Sequence, residues 1–79
     1  MMSSQVTVLY FGAAQEITCK PAEALNAGDT ASLRKAIIEK YPAMSTVSFR
    51  MAVNRSLLRE ESVLREKDVV AILPPFQGG

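Results

Sequence analysis

The sequence predicts an α+β fold in which a mixed sheet carries one main helix packed on one face. Three observations predict it. Two strand-like runs that are apolar on both faces, residues 5–11 and 69–73, lie near opposite ends of the chain. One stretch with helical spacing, from Thr30 to Tyr41, lies between them. The 79 residues suffice for one domain but not two, so these segments must share a single core.

The first run, Gln5-Val6-Thr7-Val8-Leu9-Tyr10-Phe11, is dense in β-branched and aromatic residues and is closed by Gly12. Val6, Val8 and Tyr10 fall on one face, and Thr7, Leu9 and Phe11 on the other. Both faces are largely apolar, which predicts a central strand covered on both sides. Residues 13–17 fit a short helical turn, and a weaker strand is expected within residues 22–27. Gly28-Asp29-Thr30 is a helix-start signal, because Asp29 or Thr30 can accept the first free backbone N–H groups. Leu33, Ala36, Ile37 and Tyr41 then recur at helical spacing until Pro42 prevents continuation. Residues 43–46 read as irregular. Phe49, Met51 and Val53 alternate inward along the next strand, and Asn54-Arg55 turns the chain into a short strand at residues 56–58. Arg59-Glu60-Glu61 reads as a solvated charge run, Val63-Leu64 as an apolar anchor, and residues 65–68 as a turn. Val69-Val70-Ala71-Ile72-Leu73 is the second central strand, expected to pair with the first. Two strands, a helix, then further strands make an α+β sandwich of the ubiquitin-like β-grasp type. Residues 1–79 are read as one such domain, with 74–79 as its flexible C-terminal tail.

Composition excludes several functions. A hydrophobic fraction of 48% with mean hydropathy +0.10 belongs to a folded globule. Nine basic residues against eight acidic ones are spread along the chain, so nucleic acid is not an expected partner. The single cysteine, Cys19, forms no internal disulfide. No signal peptide is read at the N-terminus, and no apolar run approaches the ~20 residues that span a bilayer, so no membrane partner and a cytoplasmic location are expected. Without histidine there is no histidine-dependent triad and no imidazole metal ligand. Cys19 lacks a base and reads as a small buried or incidental thiol. No glycine-rich loop has phosphate-binding spacing.

The last six residues, Pro74-Pro75-Phe76-Gln77-Gly78-Gly79, are different. The prolines end the strand and favour a stiff, extended exit. Phe76 is an apolar anchor beyond the domain, and Gly78-Gly79 end the chain without side chains. A glycine pair alone fits a frayed terminus. Rigid prolines, an aromatic and two glycines in series fit a tail that threads a narrow channel and presents its carboxylate to another protein's active site.

With Val8-Leu9-Tyr10-Phe11, Met51-Ala52-Val53-Asn54 and the whole stretch from Asp68 to Gly79, the chain resembles the molybdopterin synthase small subunits, the MoaD-type sulfur carriers of molybdenum cofactor biosynthesis. The resemblance covers nearly the whole chain. Lys67 departs from it, since members often carry glycine before the acidic residue of that turn. The resemblance implies that an adenylating activating enzyme (MoeB-type) uses ATP to adenylate Gly79, and that sulfur then displaces AMP to leave a thiocarboxylate. The tail next enters the large subunit of molybdopterin synthase (MoaE-type), where two transfers install the dithiolene sulfurs on cyclic pyranopterin monophosphate. Only Gly79 undergoes chemistry; Gly78 gives passage, and Phe76, Pro75 and Pro74 position the tail. The chain alone is then no enzyme but the sulfur-donor subunit, with no stably bound cofactor, in a heterotetramer of two small and two large subunits. Alternatives are a sulfur carrier for thiamine or tRNA thiolation, a ubiquitin-like modifier, or an interaction domain with an incidental glycine end. Because one helix covers one face only, part of the second face, with Leu9 and Phe11, is expected to be the partner surface.

Overall fold

The computed structural model describes residues 3–74. Its elements are β1 (Ser4–Tyr10), α1 (Ala13–Thr18), β2 (Ala22–Ala27), α2 (Thr30–Lys40), a 3-10 helix (Pro42–Thr46), β3 (Arg50–Val53), β4 (Ser56–Leu57) and β5 (Val69–Leu73). The strands form one mixed sheet in the order β2-β1-β5-β3-β4. The two apolar runs do pair: β1 and β5 lie parallel at the centre, with Val8 opposite Val70 and Tyr10 opposite Ile72. Parallel neighbours cannot be joined by a tight turn, so everything between them acts as the crossover. β2 runs antiparallel to β1 and β3 antiparallel to β5.

Asp29 caps α2, its Oδ1 accepting from the Ser32 amide at 2.7 Å. Leu33 and Ile37 are fully buried and share one cluster with Val6, Val8, Tyr10, Met51, Val70 and Ile72. Burial of each such aliphatic side chain contributes roughly 1.5–3 kcal/mol. Thr30 is buried as well: its hydroxyl donates to Glu61 Oε1 at 2.5 Å and accepts from the Ser62 amide at 2.9 Å. Glu61 therefore pins the long connection to the start of α2, rather than standing free in a charge run. Within that connection Leu64 is the anchor, whereas Val63 is 73% exposed and bridges Asp29 through its backbone.

Three expectations are corrected. Residues 43–46 are not irregular but belong to the 3-10 helix, and Met44 within it is fully buried. Pro42, which stops α2, also opens this new helix, where a proline's missing N–H is harmless. The central strands are covered on one face only. Val6, Val8, Tyr10, Val70 and Ile72 lie under the helices, whereas Phe11 and Val69 on the other face are 44% and 37% exposed. The short strand after the hairpin ends at Leu57, one residue earlier than expected.

Besides Cys19 at the end of α1, three turn residues hold the left-handed region without being glycine: Asn54 (φ 49°), Arg55 (φ 74°) and Lys67 (φ 72°). Lys67 thus adopts a conformation that glycine would adopt more readily. The two turns brace one another. Asn54 Nδ2 donates to Asp68 Oδ1 at 2.9 Å, and the Val69 amide donates to Asn54 Oδ1 at 3.0 Å. The Arg65 amide donates to Asp68 Oδ2 at 2.8 Å, and these bonds lower the Asp68 carboxyl below its ordinary range. No helix among the described residues is long and apolar enough to cross a membrane.

Candidate functional site

The parallel pairing of β1 and β5 decides where the tail begins. The Phe11 amide donates to the Ile72 carbonyl at 3.2 Å, so both central strands end at the same edge. Leu73 therefore leaves the sheet beside Phe11, and Pro74 follows, exposed, over the start of α1. Gly12, with φ +57°, makes the turn there; a Cβ at this position would lie 3.8 Å from Pro74 Cγ. That is ordinary contact, so glycine answers the backbone conformation rather than a lack of space. The remaining tail positions, Pro75, Phe76, Gln77, Gly78 and Gly79, lie outside the described residues.

The uncovered face of the sheet adjoins this exit. Leu9 lies opposite Ala71, Ala71 opposite Ala52, and Ala52 opposite Leu57 across four strands. The small alanines form the floor of an open groove whose walls include Leu9, Phe11, Val69 and Leu73. Asn54 and Arg55 stand at its end. Leu57, half exposed, extends the apolar strip beyond the groove. A contiguous apolar surface on a monomer is a feature of partner sites. Leu9 and Phe11, expected to form such a surface, are brought together here with β5.

The covered face holds a feature that the sequence reading missed. Glu23, opposite Val8 on β2, points inward and is 9% exposed. Tyr10 and Tyr41 both donate to its Oε2, at 2.6 and 2.7 Å, while Lys40 and Lys20 approach Oε1 at 2.6 and 3.3 Å. Burial pushes this carboxyl up, but the hydrogen bonds from Lys40, Tyr10, Tyr41 and Lys20 outweigh it and hold it at about 2. Burial and the neighbouring Glu23 push the Tyr10 hydroxyl strongly up, so it stays a proton donor. The two rings meet edge to face at 6.1 Å between centroids. This network fastens the end of α2 to the sheet beneath Tyr10, the residue before Phe11. Two signals in the sequence pointed to it: an acidic residue on the inward parity of β2, and a buried tyrosine in need of a hydroxyl partner.

Cys19 is exposed, which corrects the buried half of the reading given to it. It caps α1 with φ 59°, and its Sγ lies 3.6 Å from the Glu16 carbonyl. Arg34 lies over the Phe49 ring at 5.0 Å and 3.9 Å from Glu61, away from the open groove.

Comparison with known proteins agrees with this architecture. Residues 8–79 match the ThiS family. The molybdopterin synthase sulfur carrier subunit of Chlamydomonas reinhardtii is 33% identical, the alignment covering 95% of this chain and 99% of the relative. Its counterpart from Mycobacterium tuberculosis is 35% identical over 95% of this chain and 98% of its own. Among solved structures, small archaeal modifier protein 1 from Methanosarcina acetivorans superposes with a TM-score of 0.87 at 22% identity, covering all of both chains. A Pyrococcus furiosus protein described as a candidate molybdopterin converting factor subunit 1 gives 0.86 at 20% identity, over 94% of this chain and all of its own. At such identities these two likenesses establish the fold. With its five-stranded mixed sheet and match over residues 8–79, the chain belongs to the ThiS family and has the ubiquitin-like β-grasp fold, related over nearly its whole length to the sulfur carrier subunits of molybdopterin synthase.

Proposed function

We propose that this chain is the sulfur carrier subunit of molybdopterin synthase, with Gly79 as the carrier residue. The observation that supports this most is the match over residues 8–79, which runs through Gly78-Gly79, alongside relatives that bear this function by name. A free carboxylate is a poor electrophile. An adenylating activating enzyme therefore converts the Gly79 carboxylate to an acyl adenylate, consuming ATP and releasing pyrophosphate. A persulfide sulfur attacks the acyl carbon and AMP leaves; reductive cleavage of the resulting acyl disulfide by a thiol frees the thiocarboxylate. Sulfur in that group is soft and nucleophilic, yet it stays covalently held while it passes between proteins.

The chain is not catalytic alone and holds no cofactor of its own. Its partner, the large subunit, supplies the groups that act on cyclic pyranopterin monophosphate, in an assembly of two small and two large subunits. Gly78 allows the tail to thread, Phe76, Pro75 and Pro74 position it, and the groove with Leu9 and Phe11 docks the domain. The exit of Leu73 beside Phe11 supports this arrangement, since docking and threading then occur at one edge of the sheet. The location is cytoplasmic. Carriers for thiamine or tRNA thiolation share the terminal chemistry, and a modifier joined to lysines shares the fold.

The experiment is molybdopterin formation with purified large subunit, precursor, activating enzyme, ATP and a sulfur source. Deleting Gly79 draws the chain end back by about 3.3–3.6 Å. Reacting atoms must come within about 3–3.5 Å, so activity is lost while the melting temperature is kept. Full activity of the deletion variant returns the tail to a frayed end.

A further inference from the structure

The groove on the open face carries one charge. Arg55 is its single ionisable lining residue, at the end of a strip made otherwise of apolar side chains and Asn54. Three features set it apart. It occupies the second position of a two-residue hairpin loop between β3 and β4, with φ 74°, where glycine is the favoured residue. Its guanidinium takes no part in the ion pairs among the described residues, which are Lys20–Glu23, Arg34–Glu61 and Lys40–Glu23. It is exposed, so the domain gains no core packing in return for an unfavourable backbone conformation.

We propose that Arg55 pairs with a carboxylate on the protein that covers this face and so fixes the register in which that protein seats. This rests on reading the face as the docking surface. The occupant is then a protein with an apolar patch bordered by an aspartate or glutamate. Apolar contact over Leu9, Ala71 and Ala52 is non-directional and permits sliding along the strip. A single charge at one end removes that freedom, because the wrong register leaves the guanidinium facing apolar surface without a partner. Arginine suits the role through its planar fork of donors, which matches a carboxylate with two parallel bonds.

The test measures binding to purified molybdopterin synthase large subunit at low and high salt, with melting temperatures recorded for each variant. Arg55→Gly relieves the backbone and melts at or above the parent temperature, yet binds about threefold to tenfold more weakly at low salt. That difference narrows at high salt, where the pair is screened. Arg55→Glu binds more weakly than Arg55→Gly, since it opposes like charges. Phe11→Ala, which trims the apolar wall, weakens binding at both salt concentrations. If both Arg55 variants keep the parent affinity and salt dependence while Phe11→Ala weakens binding, the docking face stands and the role of Arg55 falls. A lower melting temperature for Arg55→Gly, or equal losses in both variants without salt dependence, also overturns it by making Arg55 structural. If the parent fails to bind, or Phe11→Ala binds as the parent does, the docking-face reading falls and the pairing with it.

Discussion

Phe11 and Ile72 are joined by a hydrogen bond of 3.2 Å, amide to carbonyl, at the last rung of the parallel β1–β5 ladder. This one bond aligns the exposed aromatic of the open face with the point where the chain leaves the sheet. A tail issuing from a central strand has two neighbouring strands to hold its root, whereas one from an edge strand has one. The last residues of β5 are thus held from both sides, by β1 and by β3.

The Glu23 network predicts a specific acid sensitivity. Its carboxyl is held at about 2 against an ordinary 4.5, so the unfolded chain binds more protons between those values. The stabilisation is complete above about pH 4.5 and is lost as pH falls toward 2, amounting to roughly 2–3 kcal/mol once screening of the half-exposed lysine ends is allowed for. The Asp29 and Asp68 carboxyls are lowered too, by hydrogen bonds from Ser32 and from Arg65 and Asn54, so the comparison must be made by difference. Glu23→Gln should lose that amount at neutral pH and show a flatter dependence of unfolding free energy below pH 4.5. Parallel pH profiles for parent and variant would contradict the assignment.

Lys67 predicts the opposite sign. At φ 72° a side chain is disfavoured, and glycine removes the steric cost while adding freedom to the unfolded chain. Lys67→Gly is expected to stabilise the domain by up to about 1 kcal/mol in urea titrations. A loss of stability would show that the lysine side chain contributes a contact that outweighs its backbone conformation.

Local pattern made much of this fold legible. Alternation in residues 5–11 put Val6, Val8 and Tyr10 together on one face, which is the buried one, and Gly28-Asp29-Thr30 announced the helix that Asp29 caps. Met44 was not legible, because Pro42, Ser45 and Thr46 carry loop chemistry and only tertiary packing fills the space with a methionine. Glu23 escaped for a related reason: its partners Tyr10 and Tyr41 come from other elements, 13 and 18 residues away. Both faces of the central strands read as apolar, but a sequence does not by itself distinguish surface hidden by its own chain from surface left for another. Of the candidate site, Leu9, Phe11 and the exit at Pro74 have a described geometry, while the positions from Pro75 to Gly79 lie outside it.

Cys19 tests whether sulfur travels on the tail alone. It is exposed and caps α1 in a left-handed conformation, so serine should keep the fold with at most a small loss. Cys19→Ser is expected to retain sulfur transfer at the parent rate in the reconstituted synthase reaction. A variant with the parent's melting temperature that fails to complete transfer would bring the thiol into the mechanism.

The most direct measurement is the intact mass of the protein after incubation with the activating enzyme, ATP and a sulfur source. A carrier role at Gly79 predicts a species heavier by one replacement of oxygen by sulfur, localised to Gly79 by fragmentation. It also predicts return to the original mass when large subunit and cyclic pyranopterin monophosphate are added. An unchanged mass with an active enzyme and sulfur source, or attachment of Gly79 to lysines of other proteins in its place, would contradict it.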